Sequence, residues 1–255
     1  MAKLSEKRWR SSETDDHMNC RTQTEADRPA PLLRTALIAD PRHDWLPIPL
    51  LVLTLLSGVI DAVSLLGLGH VFVANMTGNV VLVGLALSGA PGHPATAPLT
   101  ALGGFVGGAL LIRAVPPHRV NSRTLLALCA ASESLLLALA ATADGDRSLQ
   151  VLLCAVALGL QNAAVRRVGV PELTTTVMTG TLTGLIGSRA AERTAHGDLR
   201  RTLSVLTLLA GAGLGALSVR LVGTQGTLVA EAVGTALVAL SMSARPAALR
   251  RSAAR

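Results

Sequence analysis

The chain has 255 residues, half of them apolar and only 15 % charged, too little polar surface to cover a water-soluble domain of this size, which excludes an ordinary soluble globular protein. Its formal charge of +7 comes from 21 Arg and two Lys against 16 acids; placed at the ends of apolar stretches, this excess reads as a topology signal, and no nucleic-acid partner is expected. Cys20, Cys129 and Cys154 form no CxxC or His-flanked pattern, so neither a disulfide framework nor a zinc site is expected, and no cofactor is inferred.

Residues 1–45 are polar and nearly balanced in charge, which predicts a disordered N-terminal tail. The first 30 residues lack the apolar core of a secretory signal, so an uncleaved chain is expected. Six stretches then reach the roughly 20 apolar residues that cross a bilayer: 46–67, 97–115, 124–143, 149–166, 202–222 and 226–243. Backbone groups in lipid must be satisfied within the chain, so these six are predicted helices. Two shorter or more polar stretches, 71–88 and 174–188, either span or dip in and return. Residues 244–255 form a basic C-terminal tail.

The two halves match in order. "GVIDAV" at 58–63 matches "GLQNAA" at 159–164, "NMTGNVVLVG" at 75–84 matches "VMTGTLTGLIG" at 177–187, and "GALLIRAV" at 108–115 matches "GALSVRLV" at 215–222, with offsets of 101, 102 and 107. This predicts membrane repeat 1 at 46–147 and membrane repeat 2 at 148–243. The fold class expected is an all-α polytopic membrane protein of six to eight spans. With six spans and re-entrant MTG segments, the basic residues divide 21 inside to two outside; with eight spans they divide 17 to six. The first split favours six spans, inverted repeats, and both termini on the cytoplasmic side of a bacterial inner membrane.

The run "SGVIDAVSLLGLGHVFVANMTGNVVLVGLAL" carries Gly58-x-x-Asp61-Ala62 followed by Phe72-x-x-Asn75-x-Thr77-Gly78-Asn79. It resembles the signature region of a family of uncharacterised bacterial integral membrane proteins typified by YoaK. The resemblance covers most of 46–243, and MTGN is its most specific part. The long polar N-terminal tail and the scarcity of aromatics, with no Tyr and two Phe, depart from that pattern. The resemblance implies a bacterial membrane location and no established activity.

Asp61 lies deep in the first span, where an ionisable side chain costs on the order of 3 kcal/mol. It is read either as a substrate or proton site or as a helix-packing hydrogen-bond partner, and its repeat counterpart Asn162 keeps the shape without the charge. Glu133 in "AASESLLLAL" and Glu231 in "LVAEAVGTAL" are read near helix ends, within reach of the interface by snorkelling, or as proton-coupling groups with Asp61. Gly103, Gly104, Gly107, Gly108, Gly211 and Gly215 form GxxxG pairs that bring helices close.

The leading expectation is a small permease or channel-like carrier for a small polar or anionic solute, with a midplane site between the repeats. Half-helix N-termini would favour anions there. Its substrate-binding candidates are Asp61, Asn75, Thr77, Gly78, Asn79, Asn162, Thr179, Gly180 and Thr181. The alternative is a non-transporting scaffold or accessory subunit whose polar groups only tie helices together. The bilayer, a small solute and a homo-oligomer are the partners considered. No nucleotide, hydrolase or metalloprotease motif is present, so no enzymatic activity is expected.

Overall fold

The computed structural model describes residues 46–169 apart from 93, 117 and 119, positions 180, 181 and 183, and residues 195–244. These contain six helices: α1 Pro47–Gly67, α2 Met76–Leu87, α3 Thr96–Ala114, α4 Ser122–Thr142, α5 Arg147–Val168 and α6 Ala195–Ser243. Five of them, all but α2, are long and apolar enough to cross a membrane. They cover the six apolar stretches of the sequence, because α6 holds the last two.

Local chemistry sets the helix ends. Pro occupies the opening positions of α1, where a missing N–H is no loss. The side chain of Asn121 accepts from Thr124 N–H at 2.8 Å to cap α4, and Asp146 accepts from Leu149 N–H at 3.0 Å to cap α5. Within α6, Gly223 takes φ 76° and ψ 177°, which breaks the helix and turns the chain back on itself. Across that reversal the hydroxyls of Ser218 and Thr227 meet at 2.9 Å.

Contacts fix the direction of the five long helices. The two ends of the bundle are named here for the first and last residues of α1. Residues 195–222 run parallel to α1, since Gly211 seats against Leu55 and Gly215 against Val59. Residues 224–243 run back antiparallel, placing Gly234 beside Leu56 and Thr224 beside Gly67. Helix α4 is antiparallel to 224–243: Arg123 Nε donates to the Met242 carbonyl at 2.6 Å, Ser134 Oγ to the Ala232 carbonyl at 2.6 Å, and Gln225 Nε2 to Asp144 Oδ1 at 2.8 Å. Helix α5 is antiparallel to α1, with Gln161 Nε2 donating to Ser57 Oγ at 2.9 Å. Helix α3 is parallel to α5, because Gly104 packs on Leu152 and Gly108 on Val156.

The close approaches occur in two matching sets. Gly58 of α1 meets the backbone of 208–212, while Gly159 of α5 meets the Phe105 backbone of α3. The GxxxG pairs Gly104/Gly108 and Gly211/Gly215 supply the opposite surfaces. Gly103 and Gly107 face open space instead, so only one of the two overlapping pairs in α3 is used for packing.

Apolar side chains fill the space between. Ile60, Val63, Leu137, Leu158 and Leu228 form a core toward the Gly67 end, and Leu50, Leu53, Leu126, Ala164 and Met242 form one toward the Pro47 end. Large apolar groups such as Leu66, Leu135, Leu209 and Leu221 point outward. A surface of this kind is suited to lipid rather than water.

At the Pro47 end, Arg167 Nη1 donates to the carbonyls of Ile112 and Val115 at 3.2 and 2.7 Å. These carbonyls belong to the last turn of α3, so the guanidinium ties that helix end to α5. Arg167→Met is expected to loosen this joint by about 2 kcal/mol, read as earlier thermal unfolding in detergent with the helix content of the native state unchanged.

Candidate functional site

The first polar region begins where α1 ends. Gly69 and His70 both take positive φ, 96° and 59°, and turn the chain inward. Leu68, Val71, Val73 and Ala74 are buried in the core. The Ala74 backbone N–H is directed at the Asp61 carboxylate. Asp61 lies six residues before the end of α1, so this loop descends about 9 Å at 1.5 Å per helical residue.

From that depth α2 starts at Met76, and α3 begins again at the Gly67 end. Segment 68–95 thus leaves and returns at the same end of the bundle. The sequence reading set the turn at Thr77 and Gly78 near the midplane. The structure puts it earlier and shallower, because Gly69 and His70 spend two residues on reversal and the helix already includes Thr77 and Gly78.

Each polar residue of the motif has a separate place. Asn79 is fully buried, accepting from Phe72 N–H at 3.0 Å and donating to the Phe72 carbonyl. It therefore satisfies both polar groups of one irregular backbone residue, much as a neighbouring strand would. A Cβ on Gly78 would collide with the Phe72 ring, so the glycine is needed for the ring to lie on the first turn of α2. Asn75 and Thr77 are exposed, and Asn75 makes no side-chain cap. Asp61 is half-buried, yet its Oδ1 is out of solvent and has no hydrogen-bond partner.

Of the second motif, Thr179 lies outside the described residues, Gly180 is exposed, and Thr181 is buried. Asn162 is buried beside Gln161, which is held by Ser57. The structure therefore joins Asp61 to the loop that precedes Asn75, but the described residues give no contact between the two motifs.

A second polar region lies in the middle of the bundle. Glu133 and Glu231 are 1 % and 4 % exposed on the antiparallel pair formed by α4 and 224–243. The bond from Ser134 to Ala232, each one residue further on, sets them at the same height. They interact electrostatically with each other. Sequence reasoning read both as near helix ends and able to snorkel; the structure corrects this, since both face a neighbouring helix and neither reaches the surface. Glu231 Oε2 has no partner among the described residues.

Two recesses open toward the ends of the bundle. One of about 660 Å³ opens at the Gly67 end and is lined by Asp144, Asp146, Arg147, Gln150, Thr224 and Gln225. Another of about 510 Å³ opens at the Pro47 end along the groove between α4 and 224–243, reaching Ala131 and Ala239. Among the described residues, no group of three His, Cys, Asp or Glu side chains is placed to hold a metal ion.

The pairings of Asn79 with Phe72 and of Gln161 with Ser57 were not anticipated. The first had a faint signal, an amide seven residues beyond a kinked loop. The second had none, since a Ser and a Gln 104 residues apart carry no pattern.

Comparison with known proteins agrees with this architecture. The chain is 33 % identical over 142 residues to the UPF0700 transmembrane protein YoaK of Bacillus subtilis (strain 168); the match takes in 53 % of this chain and 63 % of that relative, so it spans less than two thirds of the relative's length. No solved structure matches. The profile of the family described as protein of unknown function DUF1275 matches residues 49–241, most of the described bundle. With its apolar helices and a transmembrane relative, the chain is a multi-pass membrane protein and belongs to the DUF1275 family.

Proposed function

We propose that the protein is a small permease or channel-like carrier built from two inverted three-span repeats in a bacterial inner membrane. One observation carries the reading. Helix α1 packs in parallel on 195–222 through Gly58, Gly211 and Gly215, and α5 packs in parallel on α3 through Gly159, Gly104 and Gly108. Each repeat thus lends its first helix to the second full-length helix of the other, and α1 and α5 point in opposite directions. Interlocked inverted repeats with a short irregular element after the first helix are the usual frame of secondary transporters.

Charge supports the orientation. Arg113, Arg123, Arg166, Arg167, Arg200 and Arg201 belong to the Pro47 end, while Arg147 and Arg220 belong to the other. The Pro47 end is then cytoplasmic. Counting α6 as two crossings joined at Gly223 gives six spans, with 68–95 re-entrant from outside. Asp61, Asn75, Thr77 and the uncapped start of α2 would meet a polar or anionic solute there.

Single cysteines placed by Thr96→Cys, Ser148→Cys and Ser243→Cys, in a chain lacking the native thiols, test the topology. The first two are expected to react with an impermeant thiol reagent in intact cells and the third only after lysis. Labelling of Ser243→Cys before Ser148→Cys would reverse it. Activity is tested in proteoliposomes by osmotic shifts with small anions and neutral polar solutes; faster volume recovery than in protein-free vesicles is expected for one class. The scaffold reading has its own support, because Asn79 is wholly engaged with Phe72, and recovery equal to protein-free vesicles across the panel would leave that reading standing.

A further inference from the structure

Glu133 and Glu231 are brought level by the packing of α4 on 224–243. Residue spacing between them is 98, close to the offsets of about 100 that relate the two halves. Arg123 with Met242, Ser134 with Ala232, and Asp144 with Gln225 pair along α4 and 224–243, so the acids straddle the midpoint of this antiparallel pair. In inverted repeats that midpoint is the approximate two-fold axis. Glu231 Oε2 is buried without a partner among the described residues. A helix-tying role would not leave a carboxylate oxygen unsatisfied.

The surroundings limit what can bind. Charge on both carboxylates would add their mutual repulsion to the cost of taking each out of water. Among the described residues, the thiols of Cys129 and Cys154 are both within electrostatic reach of Glu133, with the Arg167 guanidinium beyond Cys129. Asp61 on α1 sits at a similar height, because Leu56 is level with Gly234 and Gly67 with Thr224.

We propose that Glu133 and Glu231 form one proton-exchange site between the repeats. With both carboxyls protonated the pair is neutral. Breaking one O–H bond releases a proton to water, and the carboxylate left behind faces a neighbouring carboxyl that is still neutral. The second proton stays, since its loss would create two adjoining charges. This deepens the carrier reading by naming the coupling ion and the groups that hold it.

The experiment is infrared spectroscopy of the full chain in lipid vesicles, with Asp61→Asn to silence the third intramembrane acid and no solute gradient. Raising the pH is expected to reduce the protonated carboxyl band from two equivalents per chain to one and no further, and the band is expected to shift in D2O. Glu133→Gln and Glu231→Gln, near-isosteric and checked for unchanged helix content, should each leave a single acid that titrates to zero, because its charged neighbour is gone. A band that falls from two to zero at one midpoint, unmoved in the single variants, would mean two independent acids and overturn the proposal. So would a band insensitive to both pH and D2O, which would mark a sealed structural pair. Since the measurement needs no transport, it can succeed where the uptake assay fails, and the reverse.

Discussion

Gly211→Ala is expected to destabilise the protein by about 1–3 kcal/mol, the usual cost of forcing atoms into a packed contact, and Gly108→Ala by a similar amount. In each case the added Cβ would overlap a backbone carbonyl of the opposite helix, Leu55 for Gly211 and Val156 for Gly108. A carbonyl cannot swing aside as a side chain can, so the whole helix must retreat and its neighbouring contacts open. Gly58→Ala and Gly159→Ala meet the partner backbones of Leu208 and Phe105 and belong in the same class. Gly213→Ala and Gly103→Ala are the controls. Nothing lies within 4 Å of a Cβ at either position, and alanine in a helix interior is favoured over glycine by roughly 0.5–1 kcal/mol, so these variants should hold or gain stability. Cys129 and Cys154 are buried free thiols. Once Cys20 is replaced, a thiol-reactive dye added during a thermal ramp reports their exposure. Equal losses in the two glycine sets would support the exchange of helices between repeats, and a loss confined to one set would count against it.

Asn79→Leu is expected to release α2 from the bundle. Leucine is close in size but leaves the N–H and carbonyl of Phe72 unpaired in an apolar setting, at roughly 1–3 kcal/mol each. Asn79→Asp should fall between, because a carboxylate still accepts from the N–H but faces the carbonyl with a like charge. The reading is taken at Val73→Cys, a position with 0 % exposure in the loop that Asn79 holds. Its modification rate should rise by about a hundredfold in Asn79→Leu if some 3 kcal/mol of loop stability is lost. An unchanged rate would show that burial of Val71, Val73 and Ala74 holds the loop without the amide.

These two sites differ in how far the sequence disclosed them. Apolar runs of bilayer length located every long helix, because length and hydropathy are properties of a segment alone. Glycine spacing announced close helix contacts, but not which of Gly103/Gly107 and Gly104/Gly108 is used, since the choice depends on where the facing helix lies. The depth of the NMTGN segment was overestimated because a straight extended leg was assumed, whereas Gly69 and His70 bend it at once. Glu133 and Glu231 were misread for a related reason. A carboxylate in a hydrophobic run looks the same whether it points to the rim or to another helix, and only the pairing of α4 with 224–243 reveals its partner. The function suggested by repeat and polar break stands as a proposal with its tests given.

The reversal at Gly223 bears on how the chain enters the membrane in the first place. One residue separates the two arms of α6, so they leave the insertion machinery as a single helical hairpin of 47 apolar-rich residues. The second arm carries Glu231 near its middle, at a penalty on the order of 3 kcal/mol for an ionisable group at that depth. Joined without slack to an arm that has no charge between Thr202 and Val219, it is drawn in with its partner. The glycine therefore lets an acid enter the bilayer interior on a segment already paired with a neighbouring helix.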